Sequence, residues 1–136
     1  MRVVLDTNAL LRCISSQSKY GILLDKLFDG IFELYYSNDI LLEYEEKIEE
    51  FYSTDVAELI LGALNLLDNV KKIDVHFQMN LITSDKDDNK FSDCAFAANA
   101  NYLITNDKHF RVLQKIDFPL ISTITLEGFY DKIVKQ

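Results

Sequence analysis

Asp6, Glu43, Asp85, Asp87, Asp88, Asp93 and Asp107 are the residues of this chain whose type and placement could do chemistry. Carboxylates brought together repel one another and take up protons unless a hard cation neutralises them. Oxygen-only donor sets suit Mg²⁺ or Mn²⁺, which keep several waters and accept phosphate oxygens as further ligands. An ion held this way stabilises the charge of a phosphodiester during in-line displacement and activates the attacking water. The chemistry within reach is therefore metal-assisted hydrolysis of a phosphate ester.

Each acid also has a plainer role available. Asp6, with Thr7 and Asn8, is suited to capping a helix, and Asp107 before Lys108-His109-Phe110 could do the same. Glu43 stands beside Glu45, Glu46, Glu49 and Glu50, a run that reads as a solvated helix face. Asp85, Asp87 and Asp88 fit a loop and the start of a helix, where the dipole favours negative charge. Asp93 is harder to account for, because Phe91, Cys94, Ala95, Phe96, Ala97, Ala98 and Ala100 make its helix apolar almost all round. A carboxylate buried there needs a cation, a donor or a metal. Asn89 precedes it by one helical turn, and Asp88, Asn89 and Asp93 could converge on one cation.

The elements that would position these acids alternate between strand and helix. Val3-Val4-Leu5 reads as a strand that delivers Asp6 to its carboxyl end, followed by a helix through Ala9-Leu10-Leu11. Tyr20 to Phe28 has helical spacing and stops at Gly30; Phe32 to Tyr36 reads as the second strand, and Ser37-Asn38-Asp39 starts the next helix. In that helix Ile40, Leu41, Tyr44, Ile48 and Phe51 form one apolar stripe, and in a further helix opened by Ser53 the stripe is Val56, Leu59, Ile60, Ala63, Leu66 and Leu67. A short strand lies within Val70 to Val75, a polar loop over Ser84 to Asn89, a helix over Lys90 to Ala100 and a strand over Tyr102 to Thr105. Leu113 to Leu120 has no clear pattern, Ile121-Ser122 ends a short strand, and Thr125 to Val134 closes the chain as a helix. Alternation of this kind favours an α/β fold with a parallel sheet covered by helices on both faces, and such sheets bind ligands outside the carboxyl ends of their strands. Asp6 and Asp107 each follow a strand, so the acids are expected at that edge.

With 136 residues the chain is long enough for one domain, spanning 1–136, and too short for two independent cores. Its 49% hydrophobic and 26% charged residues fit a globular protein rather than a disordered chain. Fourteen Lys and Arg against 22 Asp and Glu leave a net charge of -8, the wrong sign for holding polyphosphate by bulk attraction. Nucleic acid would have to be bound through local basic residues or through cations gathered by the acids. Arg12, Lys86, Lys90, Lys108 and Arg111 flank the acidic segments and are the candidates for contacting an RNA backbone. Cys13 and Cys94 are not spaced as a redox or zinc motif, and His76 and His109 are isolated in sequence, which argues against zinc. The N-terminal residues lack the apolar run of a signal peptide, and no stretch has the length needed to span a bilayer. A cytoplasmic protein without membrane association is expected.

Four segments together resemble the PIN-domain ribonucleases, most closely the toxins of bacterial toxin–antitoxin pairs. They are Val3-Val4-Leu5-Asp6-Thr7-Asn8, then Leu41-Leu42-Glu43-Tyr44-Glu45-Glu46, then Asp85-Lys86-Asp87-Asp88-Asn89-Lys90-Phe91 with Asp93 and Ala95, and finally Ala100-Asn101-Tyr102-Leu103-Ile104-Thr105-Asn106-Asp107. No one segment is specific, but their order and spacing cover nearly the whole chain. The resemblance implies a PIN-like three-layer α/β/α sandwich with a mostly parallel central sheet of about five strands. It also implies Mg²⁺- or Mn²⁺-dependent cleavage of RNA, frequent homodimerisation and inhibition by a cognate antitoxin. Asp6, Glu43 and Asp107 match the family's first, second and fourth acids, while Thr105 and Asn8 match positions that orient them.

The third acid departs from the pattern common among these toxins, which places an Asp where this chain has Asn89. Asp88 is then the expected direct ligand, with Asp93 as an additional acid and Asn89 in support. If neither acid reaches the metal, the chain is a weak or inactive PIN-like module that binds protein or RNA. A phosphatase with an aspartyl nucleophile also places an Asp after its first strand, but Asn8 stands where that class has its second, proton-donating Asp.

Overall fold

The computed structural model describes residues 1–135. Val3, Val4 and Leu5 are buried, and with Arg2 they form β1 (Arg2–Leu5), the middle strand of the sheet. Glu33–Tyr36 (β2), Val70–Lys72 (β3), Tyr102–Ile104 (β4) and Thr123–Ile124 (β5) complete a five-stranded sheet of order β3-β2-β1-β4-β5. All four pairings are parallel, so the strands end at one common edge.

Helices α1 (Thr7–Ile14) and α2 (Gly21–Phe28) link β1 to β2, and α3 (Asn38–Phe51) and α4 (Thr54–Asn65) link β2 to β3. The chain then travels back past β1 through α5 (Asn89–Ala97) to β4, and after β5 it closes with α6 (Leu126–Val134). Because parallel crossovers are right-handed, reversing the direction of travel puts helices on both faces, which yields the three-layer sandwich. The reversal falls between β1 and β4, and a crevice opens at such a point beyond the strand ends.

The helix starts follow from small polar side chains that accept an amide hydrogen bond three residues on. Asp6 accepts from Ala9, Ser37 from Ile40, Ser53 from Val56 and Thr125 from Gly128. After α2 the chain turns at Gly30, whose φ of 78° costs a glycine nothing. Ile40, Tyr44 and Ile48 are fully buried on α3, and the Tyr44 hydroxyl donates to the Leu5 carbonyl at 2.5 Å. That bond ties α3 to the end of β1 one residue beyond Glu43.

Three expectations about packing need correction. On α4 the buried residues are Ala57 and Leu64, while Leu59 and Leu66, expected to pack, are 71% and 82% exposed. This helix packs chiefly on α3 rather than on the sheet, so a narrow face is enough to seat it. Phe51, assigned to the packed stripe of α3, is exposed in its last turn. On α5, Asn89 and Phe91 to Ala95 are buried but Phe96 is exposed, so that helix is covered on one side and not all round. The final strand, expected to end at Ile121-Ser122, is instead Thr123–Ile124, and a 3₁₀ run over Lys108–Lys115 reaches into the first residues of the stretch without a clear pattern.

Candidate active site

Asp6 leaves β1 at the crevice. Its amide donates to the Ile104 carbonyl at 3.0 Å, extending the β1–β4 ladder by one rung. Its carboxylate is 6% exposed and accepts from the Ala9 amide through Oδ1 and from the Thr105 hydroxyl through Oδ2. Burial raises its pKa above the ordinary range; the Thr105 and Ala9 donors oppose this rise, and the charge of Asp107 adds to it.

Thr105 serves two acids at once. While its hydroxyl donates to Asp6, its oxygen accepts the Asp107 amide at 3.0 Å. Asp107 in turn starts the 3₁₀ run, its Oδ1 accepting from the His109 amide at 2.9 Å. Both Asp6 and Asp107 therefore carry out the capping role open to them and still present carboxylates to the crevice. Asn8 is exposed at the wall of a recess of about 220 Å³ that it shares with Asp6, Arg12, Asn106 and Asp107. Its backbone amide, rather than its side chain, supports the Asp6 carboxylate.

Asp88 approaches the same crevice from the turn before α5. Its Oδ2 lies 3.3 Å from His109 Nδ1, which is also 3.5 Å from Asp107 Oδ1. Asp85, Asp88 and His109 place potential ligand atoms within 4.8 Å of one another. The Asp88 carboxyl is pushed up to about 6, mainly by burial and then by the charges of Asp85 and Asp107, with His109 opposing. Isolation in sequence gave no reason to single out His109. The 3₁₀ run that begins at Asp107 is what turns its ring toward Asp88.

Glu43, on α3, lies beside the segment that carries Asp6, and both its oxygens are engaged. Thr7, the residue after Asp6, donates its hydroxyl to Oε2, and Lys90 Nζ stands 2.7 Å from Oε1. Thr7 was read only as part of a cap, yet it links the first acid's segment to the second acid. Lys90, a candidate for contacting RNA, is paired with Glu43.

Asn89 and Asp93 do not join Asp88 around one point. Asn89 is buried, accepts the Ile82 amide at 2.8 Å and donates to the Ile82 carbonyl at 2.9 Å, clamping the segment ahead of α5. Asp93 is 4% exposed, and its Oδ1 accepts the Met79 amide at 3.2 Å. That contact supplies the donor its burial requires, and burial raises its pKa with no other acid contributing. The expected convergence of Asp88, Asn89 and Asp93 is thus replaced by two backbone contacts that seat the stretch from Met79 to Ile82, leaving Asp88 alone at the crevice. Asp93 and Lys86 line a separate, wider cleft of about 1110 Å³ with Glu43, His76 and Lys90. Lys108 and Arg111 are exposed beside Asp107, and Arg12 stacks over the Tyr20 ring at 5.2 Å.

Among the described residues, Asp6, Asp88 and Asp107 have no Lys or Arg ion pair. Asp107 repels Asp6 on one side and Asp88 on the other, and the His109 imidazole bridges Asp88 and Asp107; carboxylates so placed without a protein cation are a donor set suited to a divalent ion such as Mn²⁺ or Mg²⁺.

The PIN domain family model matches residues 2–109. Among solved structures, a chain in the crystal structure of VapBC2 from Rickettsia felis bound to a DNA fragment from their promoter superposes with a TM-score of 0.62 and 17% identity. The match covers 92% of this chain and 98% of that one, a likeness of fold. No curated protein matches. With the family model spanning most of its length, this chain belongs to the PIN-domain family.

Proposed function

We propose that the chain is a Mg²⁺- or Mn²⁺-dependent endoribonuclease acting as the toxin of a toxin–antitoxin pair. The observation that carries this reading is the approach of Asp107 to Asp6 and to Asp88 near the reversal point of the sheet, none of the three being paired with Lys or Arg among the described residues. Asp6, Asp88 and Asp107 would hold the ion, with Glu43 the fourth acid of the site. A bound ion supplies charge for the phosphate and a more acidic water. Thr105 keeps Asp6 and Asp107 in fixed register, and burial of Asp6 removes water that would otherwise screen its charge. Arg12, Lys108 and Arg111, which are exposed, would contact an RNA backbone.

The antitoxin partner is proposed from the likeness to a structure whose name describes a VapBC complex. A single domain that can pair with a second copy, working in the cytoplasm, completes the reading; no helix among the described residues is long and apolar enough to cross a membrane. A second reading, a PIN-like module that binds protein or RNA with little or no catalysis, draws on the engagement of Asn89 with Ile82 and of Lys90 with Glu43.

Cleavage of RNA by purified protein in Mn²⁺, in EDTA and after Asp6→Asn separates the two. The nuclease reading expects cleavage only with metal, and its loss in the variant without loss of thermal stability. Equal cleavage in EDTA would sink it, and titration calorimetry showing no ion bound would favour the non-catalytic module.

A further inference from the structure

The acids around the end of β1 fall into two electrostatic groups. Asp6, Asp88 and Asp107 carry no Lys or Arg partner among the described residues, whereas Glu43 has Lys90 at 2.7 Å on one oxygen and the Thr7 hydroxyl on the other. The Lys90–Glu43 pair is sheltered, with side chains 20% and 23% exposed, so solvent screens it less than a surface pair. Its geometry is also fixed from both ends. Tyr44 ties the Glu43 segment to Leu5, and Asn89 clamps the residue before Lys90 to Ile82 through two hydrogen bonds.

A site with two divalent ions needs carboxylate oxygens on both sides to share them. Here the oxygen of Glu43 that is free of Thr7 already faces an ammonium group. A dication brought to that oxygen would have to displace Lys90 or sit beside a like charge in a partly desolvated place. Lysine is suited to the position, being a compact point charge that holds an oxygen without ordering a coordination shell.

We propose that Lys90 is a built-in replacement for a second metal ion. It neutralises Glu43 and holds the crevice to one divalent cation, seated on the side of Asp6, Asp88 and Asp107. Lys90 is then a positioning residue whose positive charge is present whether or not metal is bound. The role rests on the metal-dependent reading above, but it can fail while that reading stands.

The test is to count Mn²⁺ ions bound to the full chain by titration calorimetry and electron paramagnetic resonance, for wild type, Lys90→Met, Lys90→Arg and Glu43→Gln. The expected result is one ion in wild type and Lys90→Arg, and a second ion in Lys90→Met. In Glu43→Gln the single ion stays, its affinity changed by less than about threefold. This last variant serves if Lys90→Met does not fold. Two ions in wild type, one ion in folded Lys90→Met, or loss of the ion in Glu43→Gln would each overturn the proposal while leaving a metal site in place. Absence of Mn²⁺ binding in wild type would overturn the metal-dependent reading, and this role of Lys90 with it.

Discussion

Replacing Asp88 with asparagine in metal-free protein should raise stability at neutral pH. The carboxyl moves from an ordinary 3.8 to about 6 in the folded chain because it is partly buried and faces Asp85 and Asp107. The folded protein therefore binds more protons than the unfolded chain between about pH 4 and 6, and wild-type stability falls as pH rises through that window. A gap of about two units at ~1.4 kcal/mol each sets an upper bound of ~3 kcal/mol. Solvent reaching the side chain, 15% exposed, lowers the expected gain, as does loss of the Asp88 contact with His109, to about 1–2 kcal/mol. Urea unfolding of both proteins in EDTA, at about pH 4 and about pH 7.5, measures it: the variant should be the more stable at the higher pH, with the gap closing at the lower. Added Mn²⁺ should reverse the order, because binding to the folded state stabilises wild type more than a variant lacking the ligand. A variant less stable than wild type in EDTA at neutral pH, or a gain that does not change with pH, would refute this account of Asp88.

Asn89→Asp, which restores the acid found in the common toxin pattern, should lose about 1–3 kcal/mol in urea unfolding, because a carboxylate cannot donate to the Ile82 carbonyl. RNA cleavage assays on the same variant should show no gain. Thr105→Val removes both the donor to Asp6 and the acceptor of the Asp107 amide, and should slow RNA cleavage at least about tenfold, or ~1.4 kcal/mol in the barrier, while the circular dichroism spectrum stays native.

The parts of the fold that could be read in advance are those whose causes are local. Ser37, Ser53 and Thr125 start their helices through their own side chains, and Val3 to Leu5 is buried because it is short, apolar and followed by polar residues. Placing Asp6 and Asp107 at one edge needed only the rule for parallel sheets. What could not be read depends on partners distant in sequence or on the course of a loop. The face of α4 is chosen by α3, and the two hydrogen bonds of Asn89 depend on how the chain ahead of α5 passes over that helix. Asn89 departs from the toxin pattern, and its side chain is held by the backbone of Ile82, a partner that no motif spacing reveals. Lys90 looked free for RNA because Glu43, its partner, is on another helix. His109 reaches Asp88 through a 3₁₀ turn that its neighbours in sequence do not announce.

The β1–β4 pairing that sets Thr105 against Asp6 joins the beginning of the chain to a strand made late in synthesis. Asp6, after β1, and Glu43, on α3, are both synthesised long before residue 107 leaves the ribosome. Until β4 docks, Asp6 lacks its hydroxyl donor Thr105 and its neighbouring acid Asp107. Assembly of the crevice therefore waits on the completion of the sheet.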